Sequence, residues 1–222
     1  MRFMHIVIIP LLTCMALASH VTDFGHISGG EESFNPTDTG LNLYEQPYNF
    51  AALTNGLYCH SSGGNACADN FQLSMDATLE MVTFWTVHSS THPNDMSLAI
   101  YEDSGSFMGT MIWSDTVSEV NITETFTGDQ SWGLDLWRID LQLEPDQYVN
   151  LTAGQEYWLY MTVLNSTGPD GWLVCDPTYT LLMWQYDMGS WWQMPYDAFF
   201  GLSGCYLALE SETWGNIKGF FR

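Results

Sequence analysis

Trp184, Tyr186, Trp191, Trp192 and Tyr196 crowd into "WQYDMGSWWQMPYDA", with Asp187 and Asp197 among them. Flat rings match the apolar C–H faces of sugars, and a few polar groups then fix orientation. The adjacent indoles sharpen the question. Neighbouring side chains on a strand point to opposite faces. One of Trp191 and Trp192 is therefore expected in a core, and the other against a ligand or a partner. Trp184, Tyr186, Trp191, Trp192, Tyr196 and Asp197 are assigned here to ligand binding. The competing use of these rings is to fill the inner faces of sheets.

Other chemistry finds less support. Asp38-Thr39-Gly40 and Asp103-Ser104-Gly105 carry the triplet with which aspartic proteases place paired carboxylates. The first lies in the leader and does not follow an apolar strand, and the second reads as an ordinary hairpin turn. His88 and His92 lie four apart in "HSSTH", but Ser, Thr and Pro93 around them make a loop and not a metal-binding helix. There is no G-x-S-x-G nucleophile and no phosphate loop. Acids are plentiful, yet nothing marks two of them as a glycosidase pair. No catalytic residue is assigned, no cofactor is implied, and the chain is read as non-enzymatic. Asp69, Asp76, Glu102, Asp103, Asp115 and Glu119 make a structural calcium ion a candidate, with solvated turn acids as the alternative.

The charge balance narrows the partners. With 26 Asp+Glu against 4 Lys+Arg, the formal charge is −22 over 222 residues. Such a chain does not bind nucleic acid, which requires clustered cations. Residues 1–18, with Arg2 ahead of an apolar run and Ala16-Leu17-Ala18 at its end, read as a secretory signal peptide. No later stretch is long and apolar enough for a transmembrane helix. Export agrees with Cys59, Cys67, Cys175 and Cys205, an even set once Cys14 leaves with the signal. Cys59–Cys67 and Cys175–Cys205 are the expected disulfides. Residues 19–45 are polar and aperiodic, and read as a flexible leader.

The elements that must position the rings are strands. "FQLSM", "LEMVTFWTV", "MSLAIYE", "GTMIWSDTV", "GWLVCD", "TYTLLMWQYD" and "AFFGLSG" are short, aromatic or branched, and bounded by turn residues. "LWRIDLQL" alternates, with Trp137, Ile139, Leu141 and Leu143 on one face and Leu136, Arg138, Asp140 and Gln142 on the other. "YWLYMTV" is apolar on both faces, as suits a strand in the middle of a sheet. Residues 46–206 are thus expected to form an all-β domain, an antiparallel two-sheet sandwich that is jelly-roll-like. Residues 207–222 make a C-terminal tail.

Four phrases carry a resemblance: "CADNFQLSMDATLEMVTFWTV", "LAIYEDSGSFMGTMIWSDTV", "VNLTAGQEYWLYM" and "GSWWQMPYDAFFGLSG". Together they resemble secreted bacterial β-sandwich surface modules, similar in architecture to carbohydrate-binding jelly rolls. The tail "ESETWGNIKGFFR" resembles short C-terminal sorting tails, with packing of Trp214, Ile217 and Phe221 on the sandwich as the alternative. The resemblance implies an extracellular or cell-surface module whose partner is a glycan or a surface protein. Self-association as a surface or matrix building block is the alternative. Asn70 stands where such modules commonly carry a second acid after Asp69, which implies weaker cation binding there.

Overall fold

Residues 40–59, 64–88, 95–164, 171–176 and 182–207 are described in a computed structural model of the chain. Their strands are β1 (Leu41–Gln46), β2 (Leu53–Tyr58), β3 (Ala66–Gln72), β4 (Ala77–His88), β5 (Met96–Asp103), β6 (Met108–Val117), β7 (Ile122–Ser131), β8 (Leu134–Gln142), β9 (Val149–Leu151), β10 (Glu156–Val163), β11 (Gly171–Cys175), β12 (Trp184–Asp187), β13 (Ser190–Gln193), β14 (Asp197–Ala198) and β15 (Phe200–Tyr206). Two antiparallel sheets pack face to face, giving the all-β sandwich that the sequence predicts. One has six strands in the order β13-β12-β3-β10-β5-β6. The other has nine, along the path β1-β15-β4-β11-β14, with β8 and β9 on the opposite edge of β4, β7 outside β8, and β2 against β11. The chain changes sheet after β2, β3, β4, β6, β9, β10, β11 and β13, which is the jelly-roll habit. No helix among the described residues is long and apolar enough to cross a membrane.

Alternation decides what enters the space between the sheets. On β10, Tyr157, Leu159, Met161 and Val163 join the main core, while Trp158, Tyr160 and Thr162 take the outer face. That strand is hydrogen-bonded on both edges, to β3 and β5, as its doubly apolar sequence predicts. Phe84, Trp172 and Phe200 meet edge to face at 4.9 and 5.7 Å, and the Trp172 indole N–H donates to the Phe199 carbonyl at 2.9 Å. On β8, Ile139 and Leu141 enter the core, with Leu143 just beyond the strand. Leu136, placed on the polar face by the pattern, is also buried. It belongs to a second cluster with Trp85, Val87, Leu173 and Phe199, against which Tyr48 and Leu53 pack. The chain between β1 and β2 supplies that cover, so one end of the nine-stranded sheet has an apolar outer face.

The structure revises two expectations. The sheet begins at Leu41, inside the segment read as a leader, because Leu43 and Gln46 are buried when β1 pairs with β15. The structure shows neither of the two expected disulfides: Cys59, Cys67, Cys175 and Cys205 carry no S–S bond in it. Cys175 is buried on β11, where its sulfur accepts from Gln46 Nε2 and donates to the Asp197 carbonyl. Cys205 is exposed on β15 opposite Thr78. The pairing Trp172↔Thr86 carries Cys175 to the level of Thr83, about 16 Å further along β4 at ~3.3 Å per residue. A disulfide spans less than about 7 Å between Cα atoms. Cys67 is fully buried and points its thiol at the Leu57 and Tyr58 carbonyls. The signal segment, His92 and the tail beyond Leu207 lie outside the described residues.

The Asp69 carboxyl group lies between the sheets. Asp69 is 1 % exposed, and its Oδ2 accepts from the Ala198 N–H at 2.6 Å, linking β3 to β14. Its Oδ1 accepts from the Asn70 N–H at 2.9 Å. Burial, reinforced by the neighbouring Asp197, pushes the Asp69 carboxyl well above the usual carboxylate range.

Candidate functional site

The hairpin β12–β13 sits at the edge of the six-stranded sheet. Met188 and Gly189 form its two-residue turn, with φ of 49° and 84°, as the twist-compatible hairpin turn requires. This sets the register: Tyr186 faces Trp191, and Gln185 faces Trp192. Trp184 pairs with Ala68 of β3, and Ala68 with Tyr160 of β10. Trp184, Tyr186, Trp191 and Tyr160 therefore share the outer face of the sheet.

On that face the rings are continuous. Phe107 meets Trp184 at 4.7 Å and Trp191 at 6.0 Å. Trp191 meets Tyr186 at 5.3 Å and Tyr160 at 6.2 Å, and Tyr160 meets Tyr101 at 6.3 Å. All of these rings are half-buried. Small side chains lie between them: Ala66 and Ala68 on β3, Ser97 and Ala99 on β5. Burial pushes the Tyr101 and Tyr160 phenols above their ordinary value, so their hydroxyls stay protonated. Gln193, exposed and opposite Trp184, adds an amide.

The connection between β5 and β6 forms one wall. Asp103 organises it: Oδ2 accepts from Gly105 N–H at 2.7 Å, and Oδ1 from Ser106 N–H at 3.1 Å. Oδ1 also accepts from the indole N–H of Trp158, a fully buried ring, at 2.8 Å. Ser106 is held at φ 94°, which a non-glycine residue rarely adopts. Its carbonyl accepts from the Trp184 indole N–H at 3.2 Å. The connection thus crosses from β5 over β10 and β3 to β12, roughly 14 Å at ~4.8 Å per strand. The Asp103-Ser104-Gly105 triplet is a turn, as its composition suggests.

No family model matches this chain, and no curated protein does. The site therefore rests on its own geometry.

Of the residues assigned to binding, the fold brings Trp184, Tyr186 and Trp191 together. It sends Trp192 to the opposite side of the hairpin, where it is 59 % exposed. Neither indole of the pair is in the core, because β13 is the outermost strand and no second layer covers Trp192. Tyr196 packs against the main core, and Asp197, 1 % exposed, is inside the sandwich, so neither joins the aromatic face. Asp187 alternates away from Tyr186 onto the other face. Phe107, Tyr160 and Tyr101 were missed. Signals existed for two of them: Phe107 is the lone ring in a Ser/Gly turn, and Tyr160 is two positions from Trp158 on a strand apolar on both faces.

The remaining candidates do not converge. Among the described residues, no three His, Cys, Asp or Glu side chains group as metal ligands. Asp69 is interior, Asp103 holds its own loop, and Asp76 accepts from the Ala153 N–H at 2.7 Å. His88 is buried, stacked on Trp137 at 5.2 Å, with Nε2 3.6 Å from Glu124 Oε1.

Proposed function

We propose that this protein is an exported, non-enzymatic binding module that takes an uncharged glycan on the outer face of its six-stranded sheet. The observation that carries this reading is the unbroken series of rings from Trp184 through Phe107, Trp191 and Tyr160 to Tyr101. Half-buried rings that meet edge to face beside small side chains offer apolar ring faces and edges, and phenol hydroxyls, the Trp191 indole N–H and Gln193 supply polar contacts for sugar hydroxyls. Among the described residues the sole Lys or Arg is Arg138, which lies on the other sheet. An anionic glycan would find no cation among the described residues of this face and a strongly negative molecule around it. Export follows from the signal-like residues 1–18, and a surface location from the resemblance of the strand phrases.

A glycan array probed with the wild-type chain, Trp191→Ala and Trp192→Ala tests the proposal. Binding to extended neutral glycans should weaken in Trp191→Ala and be kept in Trp192→Ala. Silence across the array, or equal loss in both variants, refutes it. Trp192 at 59 % exposure and Met188 at 93 % favour a second reading, self-association through the hairpin tip. In that case Trp192→Ala should convert an assembly into monomers by light scattering.

A further inference from the structure

A groove of about 250 Å³ lies on the opposite side of the sandwich, on the outer face of the nine-stranded sheet. Its floor is made by Thr83 of β4 and by Gly201 and Ser203 of β15, with Arg138 of β8 on one side and Trp85 towards one end. Three features set it apart from an ordinary strand surface.

The first is Gly201. Glycine weakens a strand interior, and commonly marks a bulge or the close approach of a backbone or a ligand. Gly204, three residues on, has a structural reason: a Cβ there would overlap the Thr78 carbonyl oxygen at the β15 irregularity. Gly201 has none. A Cβ there would meet Thr83 Cβ at 3.7 Å and the Tyr44 carbonyl at 3.8 Å, ordinary contacts, and its φ lies outside the left-handed region. The missing side chain leaves room in the groove that packing does not require.

The second is Arg138. Its Nε donates to Asp140 Oδ1 at 2.9 Å, and Thr83 Oγ1 donates to the same oxygen at 2.7 Å. Its two terminal amino groups have no partner among the described residues, and the side chain is 44 % exposed. The one Lys or Arg among the described residues is thus fixed by a carboxylate with its other donors unspent.

The third is the mixture of groups. Arg138 donates, the Glu45 and Glu80 side chains accept, already taking Asn42 Nδ2 at 2.8 Å and the Cys205 thiol respectively, and the Ser203 hydroxyl does both. A bound anion would need donors alone, and a metal ion acceptors alone. Hydroxyl groups, which donate and accept at once, need both within reach, and Trp85 provides an apolar edge.

We infer that this groove is a second binding site, specific for a single uncharged sugar ring or similar polyol. Its volume is at the small end for ligand sites, which suits one ring and not a chain. The inference is independent of the aromatic face, since the sites share no residue and lie on opposite sheets. Two sites facing apart would let one molecule bridge two glycans.

The test is ligand-observed NMR on the full chain with methyl glycosides of neutral hexoses and pentoses, and with glucuronate and glucosamine as charged probes. At least one neutral glycoside should bind. Its affinity should fall about tenfold or more in Gly201→Leu, which fills the floor, and in Arg138→Gln, and should persist in Trp191→Ala. Circular dichroism checks that Gly201→Leu is folded, and Arg138→Gln, a surface change, decides the matter if it is not. Failure of every neutral glycoside to bind, unchanged binding in both groove variants, or tighter binding of a charged sugar overturns the inference. Loss in Trp191→Ala also overturns it, by assigning the sugar to the aromatic face.

Discussion

The hydrogen bond from the Trp158 indole to Asp103 fastens a loop to a sheet, and its contribution can be worked out. The indole is fully buried and its N–H reaches the carboxylate at 2.8 Å. Asp103→Ala removes the acceptor and leaves that N–H buried with no partner, which costs about 1–3 kcal/mol. It also frees the Gly105 and Ser106 N–H groups, but both residues are exposed and water takes over. The expected loss is about 2–3 kcal/mol, or roughly 4–12 °C in Tm for a domain of this size. Trp158→Phe removes the donor together with part of a packed ring, at a similar cost. In the Trp158→Phe background no donor is orphaned, so adding Asp103→Ala should then cost less than about 1 kcal/mol. A double-mutant cycle by urea unfolding at neutral pH should give a coupling of about 1.5–2 kcal/mol. Phe107, carried on the same loop between Trp184 and Trp191, should lose its position in Asp103→Ala, and neutral-glycan binding should weaken in parallel. Additive single effects, within about 0.5 kcal/mol, would refute the latch.

Three further outcomes are expected. Because the folded-state carboxyl of Asp69 is raised, its contribution is intact below the ordinary carboxylate range and is lost as pH rises, since the unfolded chain ionises first. Wild-type stability in urea should therefore fall more steeply than that of Asp69→Asn from acid to neutral pH, and identical slopes would sink this account. Ser106→Gly relieves a φ of 94° and should raise stability by about 1 kcal/mol in the same assay, a decrease being the contrary result. Gly204→Ala should cost about 3 kcal/mol or more against the Thr78 backbone, while Gly201→Ala should stay within about 1 kcal/mol of wild type. Equal losses at the two glycines would remove the reason for treating Gly201 as unused space.

The sequence by itself determined the class of fold and much of the core. Alternation on β8 and double apolarity on β10 are local signals, because a strand's side chains leave on alternate faces whatever lies above them. The crowding of rings around the last hairpin was legible for the same reason. The tertiary structure alone decided which rings meet. Met188 and Gly189 fixed a register that put Trp191 with Tyr186, and the sheet order then brought in Tyr160, Tyr101 and Phe107 from strands far away in sequence. It also took Asp197 into the interior, separated Cys175 from Cys205 along the length of β4, and placed Arg138 and Gly201 on one groove from either side of β4. Periodicity states which face a residue takes, but distances across a sheet depend on which strands become neighbours, and that is settled by how two whole layers bury their rings together.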